Sequence, residues 1–452
     1  MEQPSMNTTS AMAATGETNA MPATDLRIAG ALVVPGNGAT PFYGWVDVAG
    51  RHIARVGHGQ PPAGAVQRTI DATGCALLPG LVNTHAHSHS SLTRGSAEGM
   101  ALEQWIAAIE REQSRLTDAD AYVAALATYG EALLSGTTTL MDMCLRPEPA
   151  MRAARAIGMR VVVAPYVLDG RPFAPQLHEV RALLEREGTG DGRVGLWIGL
   201  HDLETCSDDT IRQGAALAAT LRIGLHLHCA ESRYAVERTR ARTGRTPIAQ
   251  LEALGALGPR TVLAHCVWAD ADDRRRLAAT GTTVAHCPHA NLKLASGVAP
   301  VPALLAERVH VTLATDGAKA NNRLDMFDVM KFASLIHKGV HLDANLMPAA
   351  TVLGMATAAG ARSLGIDAGS IESGQLADLT LVDVRQFHLT PATPDTIVTN
   401  LVHAARGSDV RTVLVDGKVV VEDGRLTRID ARAAMEAMEA SGRRLMEPAG
   451  AK

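Results

Sequence analysis

The chain has 452 residues, 46% of them hydrophobic, and 43 Lys and Arg against 47 Asp and Glu give a formal net charge of −4. That length fits one large domain with a smaller companion, and the charge balance leaves no basic footprint for nucleic acid and no reason to expect a membrane partner. No apolar run approaches the ~20 residues needed to cross a bilayer, and the six cysteines, none in a Cys-x-x-Cys pair, read as reduced buried thiols of a cytoplasmic protein.

In chain order, residues 1–24 are Met, Ala, Thr and Ser without periodicity and are expected to form a disordered leader. They lack the basic start and apolar core of a secretory signal, so the sequon at Asn7-Thr8-Thr9 carries no meaning. Over 25–78, short apolar runs at 26–34, 45–48 and 52–56 are punctuated by Gly and Pro, which predicts the first part of a small β-sandwich. The texture then changes. Apolar runs at 76–87, 137–143, 160–168, 194–201, 223–231, 261–268, 282–289 and 309–316 alternate with segments of helical period such as 119–134, 149–157 and 210–220. Such alternation predicts an α/β fold with a (β/α)8 TIM barrel over 79–368. The rival doubly wound sheet wants a Gly-rich phosphate turn after a strand, and none is present. Strands return over 369–428, at 379–383, 412–415 and 418–421, the last two joined by Asp416-Gly417, a strong hairpin signal. They are expected to complete the flanking β-sandwich with the N-terminal strands. The tail, 429–452, should hold a closing helix over 430–446 with Met, Ala and Leu on its packing side.

Histidines and acids gather at the ends of six of the eight runs. His85 and His87 end the first, His201 the fourth, and His226, His228 and Glu231 the fifth. His265 lies in the sixth, His286 and His289 in the seventh, and Asp316 ends the eighth. In a barrel these positions converge on the face where barrel enzymes place their chemistry. Neutral imidazoles with a carboxylate suit Zn²⁺ or Fe²⁺ and leave a position open. His85, His87, one histidine of the fifth run and Asp316 make such a set. Residues i and i+2 of a strand face the same way, so spacing leaves His226 and His228 both open.

The stretches Pro79-Gly80-Leu81-Val82-Asn83-Thr84-His85-Ala86-His87, His226-Leu227-His228-Cys229-Ala230-Glu231, Leu263-Ala264-His265-Cys266, Asn291-Leu292-Lys293-Leu294-Ala295-Ser296-Gly297 and Thr315-Asp316-Gly317 carry a resemblance. They resemble the amidohydrolase superfamily, in the branch of adenosylhomocysteine/methylthioadenosine deaminases, guanine deaminase and triazine (atrazine) chlorohydrolase-like enzymes. The likeness runs over about residues 26–446. It implies His85, His87, His228 and Asp316 as ligands to one divalent metal, Zn²⁺ by preference and Fe²⁺ as the rival. The run 194–201 has no lysine of the kind that bridges two metals in binuclear relatives, which argues for one ion. The resemblance further implies Glu231 as the proton shuttle, His265 as the group that orients water and substrate, and Asp316 as the acceptor of the water proton. Trp105 and His201 match pocket-lining residues of nucleoside-type relatives, and His289 is expected to add a polar pocket contact or to sit on the rim.

These assignments imply a hydrolase that deaminates an amino-substituted N-heterocycle of purine, pyrimidine, pterin or triazine type through hydroxide generated on the metal, releasing ammonia. Departures bear on the substrate. Where riboside-binding relatives carry a glutamate, Gln113 or Ser114 falls nearest; where binders of an amino-acid tail carry a strand-three arginine, the chain has Ala164-Pro165-Tyr166; a family serine is replaced by Ala320. These favour a smaller heterocycle over adenosylhomocysteine. One alternative is a triazine-type hydrolase displacing chloride or an alkylamine, against which Gly317 speaks; the other, from a different class, is a non-catalytic scaffold, which would have lost ligands. Relatives imply a homo-oligomer.

Overall fold

The protein is described from a computed structural model over residues 24–447. The leader expected at 1–24, with its sequon, lies outside the described residues except for Thr24, as do 448–452. The chain begins with β1 (Thr24–Val33), β2 (Phe42–Ala49), β3 (His52–His58), β4 (Val66–Asp71) and β5 (Cys75–Pro79). The apolar run 76–87, expected as one strand, is two: β5 stops at Pro79 and β6 (Leu81–Ala86) starts after Gly80. A Cβ on Gly80 would overlap Thr138 Oγ1, Cγ2 and Cβ, the last at 2.6 Å, so only glycine lets the chain turn here beside the neighbouring strand.

Two parallel sheets follow. β6, β7 (Thr137–Cys144), β8 (Arg160–Pro165) and β9 (Val194–Leu196) pair in that order; β10 (Ile198–Gly199), β11 (Leu225–Cys229), β12 (Thr261–His265), β13 (Thr283–His286) and β14 (His310–Leu313) form the second. These strands are buried on both faces, as their near-continuous apolar sequences require of a parallel sheet covered by helices. The sheets meet at two seams. Only Trp197 separates β9 from β10, and its N–H donates to Val163 O at 2.9 Å. On the far side Thr84 Oγ1 donates to Leu313 O at 3.0 Å, and the Asp316 N–H to His85 O at 3.0 Å.

Helices at Asp118–Leu134, Pro147–Ile157 and Asp208–Leu221 stand within two residues of the predicted segments. The first starts on a capping box in which Thr117 and Asp120 each satisfy the other's backbone N–H.

The last strands, β15 (Leu379–Asp383), β16 (Val410–Val415), β17 (Lys418–Glu422) and β18 (Arg425–Leu426), return to the first ones. Where a sandwich was expected, hydrogen bonding joins both chain ends into one mixed nine-stranded sheet, ordered β18-β17-β16-β15-β5-β1-β2-β3 with β4 beside β1. It curls enough for Ile53 N–H to reach Gln375 O and Ala377 N–H to reach Arg51 O, both at 2.8 Å. Asp416 and Gly417 turn the β16–β17 hairpin with φ of 51° and 70°, the two positive values a type I′ turn requires. Arg160, at the start of β8, ties this sheet to the parallel strands: it is 1% exposed, bonds Asp378 at 2.7 Å and also pairs with Asp416. The closing helix, Ala431–Met446, is capped by Asp430, but its expected apolar side is only partly covered: Leu445 is buried while Met435 and Met446 are exposed.

Candidate metal and catalytic site

The C-terminal ends of β6, β11, β12 and β14 bring His85, His87, His228, His265 and Asp316 together. Their hydrogen bonds fix which nitrogen of each ring faces the centre. A carbonyl oxygen only accepts, so His87 Nδ1–H donates to Met143 O at 2.7 Å and His228 Nδ1–H to His201 O at 2.8 Å. His226 Nδ1–H likewise donates to Val262 O at 2.9 Å, which leaves His226 Nε2 to accept from His85 Nδ1–H at 2.7 Å. Each of His85, His87 and His228 therefore presents a bare Nε2 lone pair inward.

Two of these lone pairs, on His87 and His228, stand 3.1 Å apart with no proton to share. His85 Nε2 is buried with no hydrogen-bond partner. The Asp316 carboxylate lies 3.5 Å from His87 Nε2 and 3.8 Å from His85 Nε2. Three acceptor nitrogens and a carboxylate gathered in a buried space repel one another unless a cation sits among them. The donor set therefore fits a divalent metal, with nitrogen and oxygen ligands of the type Zn²⁺ and Fe²⁺ accept. Burial keeps the rings neutral, pushing His87 and His226 down to about 3 and His85 and His228 well below the usual histidine range.

Spacing left His226 and His228 open, and the geometry separates them. His228 faces the centre, whereas His226 spends both ring nitrogens on protein partners and orients His85. No local sequence signal marks that role, because strand alternation turns both residues the same way.

Around this centre stand the acid–base candidates. Glu231 Oε2 lies 3.5 Å from His265 Nε2, and Ser296 Oγ is 3.5 Å from Glu231 Oε1. Burial pushes the Glu231 carboxyl up to about 7, against the opposing pull of His265. Burial also raises the Asp316 carboxyl, with its own Gly317 N–H bond working the other way. His265 Nδ1–H donates to Asn291 Oδ1 at 2.8 Å, which turns its Nε2 towards Glu231. The backbone is strained here: Ala230, His265, Cys266 and Asp316 all have φ between 47° and 75°, a region non-glycine residues occupy at a cost and mostly at functional sites.

The centre opens into a cleft of about 1570 Å³, counting its mouth. Trp105, His201, Glu231, His265 and Asp316 line it, as does Gln113, while Ser114 does not. Tyr166, the last residue of the stretch Ala164-Pro165-Tyr166, lines the cleft, a role the sequence did not assign it; its ring stands edge-on to His87 at 5.4 Å. His289 is a correction. It lies outside the cleft, stacked on Phe332 at 4.4 Å and 3.8 Å from Asp328. The strand ends at His286 and a helix starts at Pro288, so strand alternation no longer governs where residue 289 points. The six cysteines are all free and buried, and no helix among the described residues is long and apolar enough to cross a membrane.

Residues 76–420 match the Amidohydrolase family. Among curated proteins, a 5'-deoxyadenosine deaminase of Methanothermobacter thermautotrophicus is 39% identical over 408 residues, 89% of this chain and 95% of that protein. A 5-methylthioadenosine/S-adenosylhomocysteine deaminase of Syntrophobacter fumaroxidans is 40% identical over 403 residues, 87% of this chain and 91% of that one. Among solved structures, an adenosine deaminase from Xanthomonas campestris with bound zinc superposes with a TM-score of 0.89 at 29% identity, covering 94% of this chain and 99% of its own. A zinc complex of atrazine chlorohydrolase from Arthrobacter aurescens gives 0.86 at 22% identity, covering 92% and 100%, a likeness of fold.

Proposed function

The chain belongs to the amidohydrolase family, and on that footing we propose that it is a metal-dependent hydrolase that deaminates an amino-substituted N-heterocycle and releases ammonia. The observation that carries this reading is the set of three inward Nε2 lone pairs, two of them 3.1 Å apart, beside a buried carboxyl shifted to about 7. Deaminase relatives about 40% identical over nearly the whole chain support it. We read the eight parallel strands as one (β/α)8 barrel, with β9 and β10 as an interrupted fourth strand; the hydrogen bonds across both seams support closure. Within it, residues 79–368 form the catalytic unit, and 25–78 with 369–428 the flanking one.

His85, His87, His228 and Asp316 would hold one divalent ion, Zn²⁺ by preference. Bound there, such an ion lowers the pKa of a water from about 15.7 towards about 7 and so supplies a nucleophile at neutral pH. Asp316, with no Lys or Arg paired to it among the described residues, would take the proton of the attacking water. Glu231 is protonated below about pH 7 and hands its proton to the ring nitrogen next to the attacked carbon. The water oxygen bonds to that carbon, which becomes tetrahedral; the proton held by Asp316 passes to the amino nitrogen, the C–N bond breaks to release ammonia, and the hydroxyl proton returns to Glu231 as the carbonyl forms. His265, fixed by Asn291, stabilises the charge that develops between them. Cleft-lining Trp105 and His201 are assigned to the substrate; His289 is not.

Gly317 favours deamination over displacement of chloride, since the triazine hydrolases that the chain resembles carry at that place a side chain that helps with halide substrates. A side chain there would collide with Ser90 Oγ and approach His87 Cβ at 3.1 Å. Six free buried thiols support a reducing, cytoplasmic setting. Assembly as a homo-oligomer is part of the same reading, and light scattering in solution tests it.

The test is a screen of metal-loaded protein against adenine nucleosides, aminopurines, aminopyrimidines, pterins and triazines, with ammonia and chloride both measured. Ammonia release that chelation abolishes and Zn²⁺ or Fe²⁺ restores is expected. Chloride without ammonia would move the chain to the triazine hydrolases; a protein that binds no metal and turns nothing over would be a scaffold.

A further inference from the structure

The helix Leu102–Gln113 forms one wall of the cleft, with Leu102, Trp105, Ile106, Ile109, Glu112 and Gln113 on its inner side. The spacing is that of a single helical face. Opposite its C-terminal end stands Lys319, three residues after Asp316 and 2% exposed. Its Nζ donates to Glu112 Oε2 at 2.5 Å. An ammonium has three protons to place, and the Glu112 carboxylate takes one of them. The Lys319 backbone carbonyl is meanwhile held by Lys293 Nζ at 3.0 Å, which fixes the short helix that carries it.

Two further donors that line the cleft lack partners among the described residues. Trp105 Nε1–H is buried without one. His89 Nε2 takes the Gln113 Nε2–H at 3.4 Å, which leaves His89 Nδ1–H buried and unpartnered. A buried donor left unmade keeps its desolvation penalty, so these two, beside a Lys319 ammonium with protons to spare, point to an occupant rich in acceptors. Carbon-lined packing would not call for them.

We propose that Lys319, held in place by Glu112, is a specificity residue that donates a hydrogen bond to a neutral oxygen of the substrate. The oxygen is neutral because Glu112 already balances the ammonium, so a full anion placed there would face the carboxylate. It is oxygen because a compact ammonium favours a strong, small acceptor. The substrate class narrows to aminoheterocycles that carry such an oxygen on the side held by this wall, either a sugar hydroxyl or a ring carbonyl. The inference rests on reading the cleft as the substrate site. It does not depend on turnover.

Calorimetric binding to metal-loaded protein in a Glu231→Gln background, which spares the ligand, tests it with matched pairs. Adenosine against 2',3'-dideoxyadenosine removes the sugar hydroxyls; guanine against 2-aminopurine removes the ring carbonyl. With Lys319 present, the oxygen-bearing member of at least one pair binds about 10- to 100-fold tighter. Lys319→Met brings that ratio to within about threefold of unity, and the responding pair identifies the source of the oxygen. Metal content and thermal midpoint are followed alongside, and Lys319→Gln serves where the methionine variant does not fold. A purely structural ion pair would lower the midpoint and leave the ratio alone. That result, or no preference and no binding with Lys319 in place, overturns the proposal. A preserved ratio response with no ammonia from the wild-type protein would instead overturn the deaminase reading.

Discussion

His226 sends neither ring nitrogen to the metal centre, yet it decides which nitrogen of His85 does. Its Nε2 takes the Nδ1–H of His85 at 2.7 Å and leaves the opposite lone pair free. Removing such an outer partner weakens metal binding about 10- to 100-fold in comparable sites. We expect His226→Leu to lose metal by about that factor in competition with a chelator, and His226→Gln, which keeps an acceptor, to lose less. Equal losses in the two would mean the hydrogen bond is not what His226 contributes. Glu231 makes the complementary case. Glu231→Gln keeps the volume and removes the titrating proton, so turnover should fall about 10²- to 10⁴-fold with metal content unchanged. Activity of the unaltered protein should also decline as pH rises above about 7, where Glu231 gives up the proton it must donate; a flat rate from pH 6 to 8.5 would deny it that role.

Elements place these residues, and one glycine governs the first of them. Gly80 ends β5 of the mixed sheet and starts β6, the strand that bears His85 and His87. Gly80→Ala would push its Cβ into Thr138 and displace the start of β6. Overpacking of this kind costs about 1–3 kcal/mol. The variant should melt lower and bind metal less tightly, and Thr138→Ala in the same chain should recover part of both. Recovery of neither would place the strain elsewhere. The parallel strands were legible because they are apolar runs alternating with segments of helical period, most of them with a histidine or acid near the end, and the hairpin because Asp416-Gly417 matches its turn. β4 was not: Val66–Asp71 is polar and largely exposed, an edge that borrows its conformation from β1. The Lys319–Glu112 pair was not either, since 207 residues separate its partners and only the fold joins them. His289 failed for a related reason, as the period that worked to His286 stopped at Pro288.

At the scale of the whole molecule, burial of neutral or paired charge sets the limits of stability. Arg160 is enclosed with Asp378 and Asp416 where the mixed sheet meets β8. Arg160→Leu leaves Asp378 buried without its guanidinium and Asp416 with the half-exposed Arg51 alone, and breaking such a buried cluster costs about 3–5 kcal/mol, readable in a denaturant midpoint. Acid acts through a second set of groups. His286 and His337 are buried outside the metal centre with Nε2 atoms 3.4 Å apart. Burial pushes His337 down to about 4 and His286 well below the usual range. In the unfolded chain each titrates near its ordinary value of about 6.5. Between those values the unfolded chain binds more protons than the folded one, so stability is complete above about pH 6.5 and is lost as pH falls towards 4. Each such histidine adds up to about 1.4 kcal/mol per pH unit across that window. The site histidines act with the same sign, so the total slope does not isolate His337, and the comparison must be differential. His337→Gln should unfold less steeply with acid than the unaltered protein, by up to about 1.4 kcal/mol per pH unit between pH 6 and 4.5. Parallel curves would mean that His337 takes up its proton without leaving the folded state, and that acid enters the structure by another route.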